Sequence, residues 1–251
     1  MGYAIRVLRI IIAFAFFIIA MTLLFAFSLL TWRRYSEEIS GPALRAWGKT
    51  SLWILGIKLV THGEWPFKER VPRLGIVNHL STLDIVWAAA VCPNAFSCIG
   101  KRELRWVFPF NIGWWSFRLY YIDRKNRESA IATLKRAARD MVETKRTVMM
   151  APEGTRSRDG RMLPFKKGAF HFAISERLPI YPGVAAGVSE LMPKGTFIPK
   201  PGTIHVRFLD PVDTSDWDEA RLDEHIKEVR DQMERAYVEL RAKAGLPTLW
   251  S

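Results

Sequence analysis

The sequence predicts an α/β domain, a mixed and largely parallel sheet flanked by helices, carried behind an N-terminal apolar helix or helical pair. Three observations predict it. From about residue 74 onward, short apolar runs rich in β-branched residues alternate with helical patterns. Interleaving of that kind builds layered sheets, because parallel strands need helical crossovers. Ahead of the alternation, residues 10–32 form an unbroken uncharged run. At the far end, Leu222, Ile226, Val229, Met233, Tyr237 and Leu240 recur at spacings of three and four, the stripe of one amphipathic helix laid against a core.

As a helix at about 1.5 Å per residue, the run at 10–32 covers ~34 Å, enough for the hydrocarbon core of a bilayer. Arg6 and Arg9 precede it and Arg33 and Arg34 follow. The apolar region is longer than that of a signal peptide and no small-x-small site precedes Arg33, so an uncleaved membrane anchor is expected. Arg33, Arg34, Arg45 and Lys49 outnumber Arg6 and Arg9, which places the body of the chain on the cytoplasmic side of the cytoplasmic membrane. Gly41-Pro42 is expected to break the chain. Leu44, Trp47, Leu52, Trp53 and Leu55 would then form a second, interfacial helix. A bilayer-spanning helix and a helical pair lying in one leaflet both fit. Residues 1–60 are therefore expected to be anchor and interfacial helix, and 61–251 the folded domain. Within it, strands are expected at 74–77, 96–99, 119–122, 147–150, 180–184 and 204–208, and helices at 82–91, 129–144 and 167–175, with no internal repeat.

The 251 residues hold one sizeable core plus an anchor. Lys and Arg number 37 against 25 Asp and Glu, a formal charge of +12, which favours anionic partners such as phospholipid headgroups, phosphorylated substrates or acidic carriers. Nucleic acid fits poorly, since the basic residues fall at loops and segment ends rather than in a basic arm or module. Ten tryptophans and fifteen phenylalanines point instead to a membrane interface. Cys92 and Cys98 form no CxxC or Cys/His cluster. No structural zinc and no disulfide are expected, and both cysteines read as small buried residues in a reducing compartment.

Four segments at expected strand ends carry the candidate chemistry, where ligands of such sheets gather. In Asn78-His79-Leu80-Ser81-Thr82-Leu83-Asp84, a histidine and an aspartate lie five residues apart as a strand gives way to a helix. The imidazole of His79 suits proton transfer, and Asp84 on its other ring nitrogen would fix the tautomer. The same spacing also fits plain helix capping by Ser81 and Asp84. Ser81 is no nucleophile candidate, because no G-x-S-x-G elbow surrounds it. Tyr121-Ile122-Asp123-Arg124, followed by Lys125 and Arg127, makes a basic strand end suited to phosphate. Ala151-Pro152-Glu153-Gly154-Thr155-Arg156-Ser157 combines a glycine for a tight turn with a guanidinium fork for phosphate. Glu153 would accept from Arg124, Arg156 or a substrate hydroxyl. Phe165-Lys166-Lys167-Gly168 leads into a helix whose N-terminus adds favourable potential for an anion. Leu178-Pro179-Ile180-Tyr181-Pro182-Gly183-Val184 reads as an apolar strand that shapes a hydrophobic site.

In this order the four segments resemble the membrane-associated glycerolipid acyltransferase family, above all its 1-acylglycerol-3-phosphate O-acyltransferases. The first matches N-H-x-x-x-x-D, the second a hydrophobic-Asp-Arg run, the third P-E-G-T-R-S in full at 152–157, and the fourth an apolar stretch with proline. The resemblance covers about residues 74–184 and makes 61–251 an acyltransferase catalytic domain. It implies transfer of an acyl chain from acyl-CoA or acyl-acyl carrier protein to lysophosphatidic acid, giving phosphatidic acid, without metal or cofactor. By the same resemblance His79 and Asp84 are catalytic. Arg124, Glu153, Gly154, Thr155, Arg156 and Lys167 bind substrate, and Pro179 and Pro182 line an acyl pocket. Ala151 departs from the family's usual aromatic residue, and Trp114-Trp115 stand where small residues are more common. Two other readings fit some of the residues: an acyltransferase for a different lysolipid, such as lyso-ornithine lipid, and a non-catalytic module that binds anionic lipid.

Overall fold

The computed structural model describes residues 2–32, 34–108, 111, 119–123 and 125–249. Seven strands form one sheet in the order β1-β7-β6-β2-β5-β3-β4: β1 (Ile57–His62), β2 (Arg73–Val77), β3 (Phe96–Lys101), β4 (Tyr120–Ile122), β5 (Thr147–Met150), β6 (Ile180–Ala186) and β7 (Gly202–Phe208). Five neighbouring strands, β6 through β4, are mutually parallel, while β7 pairs antiparallel to β6 and β1 follows β7 in parallel. This is the mixed, largely parallel sheet that the alternation of elements predicts. Every residue of β2 is buried, which is why that strand reads as a continuous apolar run rather than an alternating one.

One strand is missing from the sequence reading. β1 holds Lys58, Thr61 and His62 among its six residues, too polar to stand out, and it gains its place only by pairing with β7 along six positions. It lies across the division expected between residues 60 and 61.

The α-helices whose full ranges lie among the described residues are α1 (Tyr3–Leu30), α2 (Ser36–Leu55), α3 (Asp84–Ala90), α4 (Arg127–Thr144), α5 (Gly168–Ser175), α6 (Val188–Leu191) and α7 (Leu222–Lys243). The Asn126 side chain caps α4 by accepting from the Ser129 N–H at 2.9 Å. On α7 the expected stripe is buried from Leu222 to Leu240, and the helix packs on β6 and β7.

At the N-terminus the chain turns at 31–35, with Trp32 in a left-handed conformation at φ 48°, and not at Gly41-Pro42. Pro42 sits inside α2. Gly41 has a different purpose: a Cβ there would overlap the main chain of Pro93 and Asn94, and one on Gly48 would overlap that of Ala90. The two glycines, seven residues apart and so on one helical face, let α2 press against α3 and the loop that follows it. Between them Arg45 donates to the Cys92 carbonyl at 2.8 Å and to Asn94 Oδ1 at 2.5 Å. Leu44, Trp47, Leu52 and Leu55 are buried, and only Trp53 of the expected interfacial set stays exposed. α1 runs back along α2 in the opposite direction, with Phe17 against Trp47 at 4.9 Å between ring centroids and the Arg9 guanidinium beside Gly56. α1 is long and apolar enough to cross a membrane. Its outer face, including Ile5, Leu8, Ile12, Ile19 and Leu23, is open.

Candidate active site

The parallel strands deliver their C-terminal ends to one edge of the sheet. β2 ends at Val77 and is followed by Asn78 and His79; β5, its neighbour, ends at Met150 and is followed by the 151–157 loop. Asn78 continues the strand with its side chain: its amide donates to the Ala185 carbonyl at 3.0 Å and accepts from the Ala185 N–H at 2.8 Å. The end of β2 is thereby tied to β6 on its other side.

His79 then leaves the sheet and α3 begins at Asp84, so the two side chains meet across the helix start. His79 Nδ1 lies 2.8 Å from Asp84 Oδ2. The same oxygen accepts the N–H groups of Leu80 at 2.8 Å and Ser81 at 2.9 Å, while Oδ1 accepts the Trp87 indole N–H at 3.0 Å. Four donors hold one buried carboxylate, so its direction is set before any ligand arrives. A carboxylate at Nδ1 keeps the proton there and leaves Nε2 as the acceptor. The His79 ring is part-exposed and its Nε2 has no hydrogen-bond partner among the described residues.

Ser81 does not cap α3. Fully buried, it donates from Oγ to the Met192 carbonyl at 2.6 Å and accepts from the Leu83 N–H at 3.2 Å. Both lone hydroxyl functions are spent in the core, away from any reacting group.

The 151–157 loop docks on His79 through the main chain. Glu153 Oε1 accepts the His79 N–H at 2.7 Å and Oε2 accepts the Leu163 N–H at 2.9 Å, while the His79 carbonyl accepts the Ser157 N–H at 2.9 Å. Glu153 is buried, and burial pushes its carboxyl up to about 7 against those hydrogen bonds, which lower it. The expected partners of Glu153 were arginines or a substrate hydroxyl. Its oxygens are taken instead by two backbone donors, so it positions the histidine. Gly154 adopts φ +68°, and a Cβ there would lie about 3.0 Å from the Lys166 side chain. Glycine both permits the turn and leaves room for that lysine. Thr155 is exposed at the turn.

Arg156 donates to Thr82 Oγ1, which sets the guanidinium over the segment between His79 and Asp84. No carboxylate pairs with it among the described residues. Lys194 donates to the Arg156 carbonyl at 2.6 Å, so a second cation stands by this loop. Lys166 and Lys194 are the basic residues that the sequence reading overlooked as individuals. The signal for Lys166 is present in the Phe165–Gly168 segment, whereas Lys194 reaches the site from just beyond α6 with no local signature.

Other expected residues go elsewhere. Lys167 directs its ammonium to Asp223 on α7 at 2.7 Å, a surface ion pair between helices. Pro179 precedes β6, at the edge of the sheet away from His79, and its carbonyl accepts the Leu74 N–H at 3.0 Å. Pro182 lies within β6 opposite Ile76. Both prolines belong to the sheet, because the apolar character of this stretch serves a central strand. Arg124 and Trp114-Trp115 lie outside the described residues. Asp123, just before Arg124, pairs with Arg102 at 2.8 Å. Its carboxyl is held below the usual range by the Lys125 N–H and then by Arg102. Among the described residues no three His, Cys, Asp or Glu side chains converge as a metal ion would require.

An imidazole poised on a carboxylate, with an unpaired guanidinium beside it, can take a proton from a hydroxyl while an anion is held nearby. The sequence model of the Acyltransferase family matches residues 58–185. A 1-acyl-sn-glycerol-3-phosphate acyltransferase of Limnanthes douglasii is 36% identical over 184 residues, 73% of this chain and 65% of the relative. The Saccharomyces cerevisiae protein of the same name is 36% identical over 72% of this chain and 60% of its own length. The chain thus spans just under two thirds of the length of these relatives. Among solved structures, the 1-acyl-sn-glycerophosphate acyltransferase PlsC from Thermotoga maritima superposes with a TM-score of 0.71 at 24% identity, covering 90% of this chain and 96% of that one.

Proposed function

The chain belongs to the acyltransferase family, and from that premise we propose that it transfers a fatty acyl group from a thioester to the free hydroxyl of 1-acyl-sn-glycerol-3-phosphate, giving phosphatidic acid for phospholipid synthesis. The observation that carries this reading is the His79–Asp84 pair, with Nε2 open beside the uncompensated Arg156. The acceptor hydroxyl attacks the thioester carbonyl while His79 Nε2 takes its proton. The new C–O bond forms, the tetrahedral intermediate collapses with loss of the C–S bond, and the imidazolium returns the proton to the departing thiolate. Asp84 keeps the ring in the required tautomer and stabilises its charged form. Arg156 takes the acceptor phosphate, aided by the field of Lys166 and Lys194.

The donor is acyl-CoA or acyl-acyl carrier protein, and the reaction as written calls for no metal or cofactor. The body of the protein sits on the cytoplasmic face of the cytoplasmic membrane. α1 and α2 lie in one leaflet, a reading supported by the way α2 is pressed along α3 while α1 lies along α2. A phosphate-free acceptor such as lyso-ornithine lipid would keep the chemistry and offer Arg156 a carboxylate of single charge in place of a phosphate.

The test is thiol release from acyl-CoA by the purified chain, with lysophosphatidic acid, lyso-ornithine lipid and monoacylglycerol offered in parallel. Release is expected with the first acceptor. It should fall by about 100-fold or more in His79→Ala, the usual span of general base catalysis. Near-normal turnover in that variant would remove His79 as the base, and equal use of monoacylglycerol would remove the phosphate site.

A further inference from the structure

A cleft of about 890 Å³ opens between α2, β1 and the loop after α3, and none of the residues assigned to catalysis lines it. β1 stands three positions from β2 in the sheet, roughly 14 Å away at the usual strand spacing. The volume is that of a small-molecule site. Its wall is cationic: Arg45, Lys49 and Lys58 line it and no carboxylate does. Arg45 is fixed by its bonds to Cys92 and Asn94, with its guanidinium 5.9 Å from the centre of the Trp65 ring. Trp65 is fixed in turn by donating to the Val91 carbonyl at 2.9 Å. Lys49 and Lys58 are exposed and have no hydrogen-bond or ion-pair partner among the described residues. The floor is aliphatic, with Leu52 and Ile57 buried, and Trp53 forms an outer wall that is 78% exposed.

Arg9 places this cleft against the membrane-seeking helix. Its guanidinium fills the space that a Cβ on Gly56 would take, and Gly56 is part of the cleft lining. One end of the cleft therefore adjoins the first turns of α1, whose outer face is open and apolar.

We infer that this cleft is a second lipid site, separate from the acyl-transfer centre, which takes the phosphate headgroup of an anionic membrane phospholipid. The phosphate lies between Lys49, Lys58 and Arg45, and the first part of the acyl chain lies on the aliphatic floor between the two indoles. Lysines held by no carboxylate meet no cost of breaking an ion pair when phosphate arrives. Tryptophans at such a boundary present an apolar ring and a polar edge, the pattern of a membrane interface. An acidic protein would engage the lysines at the rim but leave the concave aliphatic floor uncovered.

The experiment uses the full chain in neutral mixed micelles of detergent and phosphatidylcholine. Phosphatidylglycerol with brominated acyl chains is titrated in, and quenching of tryptophan fluorescence is read. Saturable quenching is expected with brominated phosphatidylglycerol and not with brominated phosphatidylcholine. The double variant Lys49→Glu/Lys58→Glu should weaken the apparent affinity at least 10-fold, since each surface lysine contributes about fivefold to binding an anionic lipid. Its thiol release in micelles without phosphatidylglycerol should match that of the wild type, which separates this site from the catalytic reading. Equal quenching by the two lipids, or an unchanged affinity in the double variant, would overturn the inference. So would full competition by inorganic phosphate at the same concentration as lipid. A defect in the double variant confined to titration with acyl carrier protein would assign the cleft to a protein partner instead.

Discussion

His79 is constrained at three atoms, each by a different residue: Asp84 at Nδ1, Glu153 at the N–H and Ser157 at the carbonyl; just before it, Asn78 is tied to Ala185. Positioning by Glu153 has a consequence that acceptor binding would not have. Glu153→Gln retains one acceptor oxygen but turns an amide N–H₂ towards the other backbone donor, so kcat should fall while the acceptor KM stays near its original value. A rise in KM alone would return Glu153 to the acceptor. The same carboxyl has a raised value of about 7 against an ordinary 4.5. Between those values the folded chain keeps a proton that the unfolded chain has released, so this group makes stability fall as pH rises through the interval, with no further loss above it. Unfolding of wild type and Glu153→Gln, compared from about pH 4.5 to 8, should show wild type losing ground up to about 7 and then a constant difference. A flat difference throughout would place the carboxyl in the ordinary range. Arg156→Ala should raise the acceptor KM roughly 10- to 100-fold, as loss of a charge-assisted contact does. No change would argue against phosphate at that position. His79 and Asp84 were legible as a pair because their spacing is local. The work of Glu153 was not, because its two partners are backbone groups 74 and 10 residues away, and a backbone N–H leaves no mark in a sequence.

At the scale of elements, the strands with apolar runs and the helices with a stripe are found where their patterns put them, within a few residues at each end. β1 leaves no mark because it is an edge strand with one of its six residues buried, and the α1–α2 turn leaves none because the Gly-Pro pair lies inside α2, beyond the turn. Pro42 is tolerated within α2, and the reason for Gly41 is the neighbour it touches. A glycine that opens a turn and one that admits another backbone look alike in a sequence; only the partner distinguishes them. Gly48 offers a test. In a free helix, alanine is better than glycine by about 1 kcal/mol. Here a Cβ meets the main chain of Ala90, so Gly48→Ala should lower stability by about 1–3 kcal/mol in spite of that gain. Urea unfolding would read it, and a more stable variant would mean that α2 is not pressed on α3.

The whole molecule combines a cationic surface, an apolar hairpin along one flank and a reaction edge at the ends of the parallel strands. Because α1 folds back along α2 and sets the Arg9 guanidinium beside Gly56, the first turns of α1 stay beside the start of β1. A reagent that cannot cross a bilayer should therefore reach Tyr3→Cys, at the exposed start of α1, from the same side as Lys227→Cys on α7 in sealed vesicles. Labelling of Tyr3→Cys only from the opposite face would show that α1 spans the bilayer. The parent chain supplies the background, where Cys92 is buried with its thiol pushed up to about 12 by burial. By itself the amino-acid sequence determined the layered α/β class, the apolar N-terminal helix, the amphipathic last helix and the His79–Asp84 pair, since periodicity, run length and short spacing are properties of neighbours along the chain. Tertiary structure alone decided the addition of β1 to the sheet, the backbone role of Glu153, the diversion of Lys167 to Asp223 and the gathering of Arg45, Lys49 and Lys58 into one cleft. The first three depend on groups far apart in the chain being brought together, and the cleft on Ala90, Val91 and Asn94 closing against α2 and β1; that proximity is created by packing.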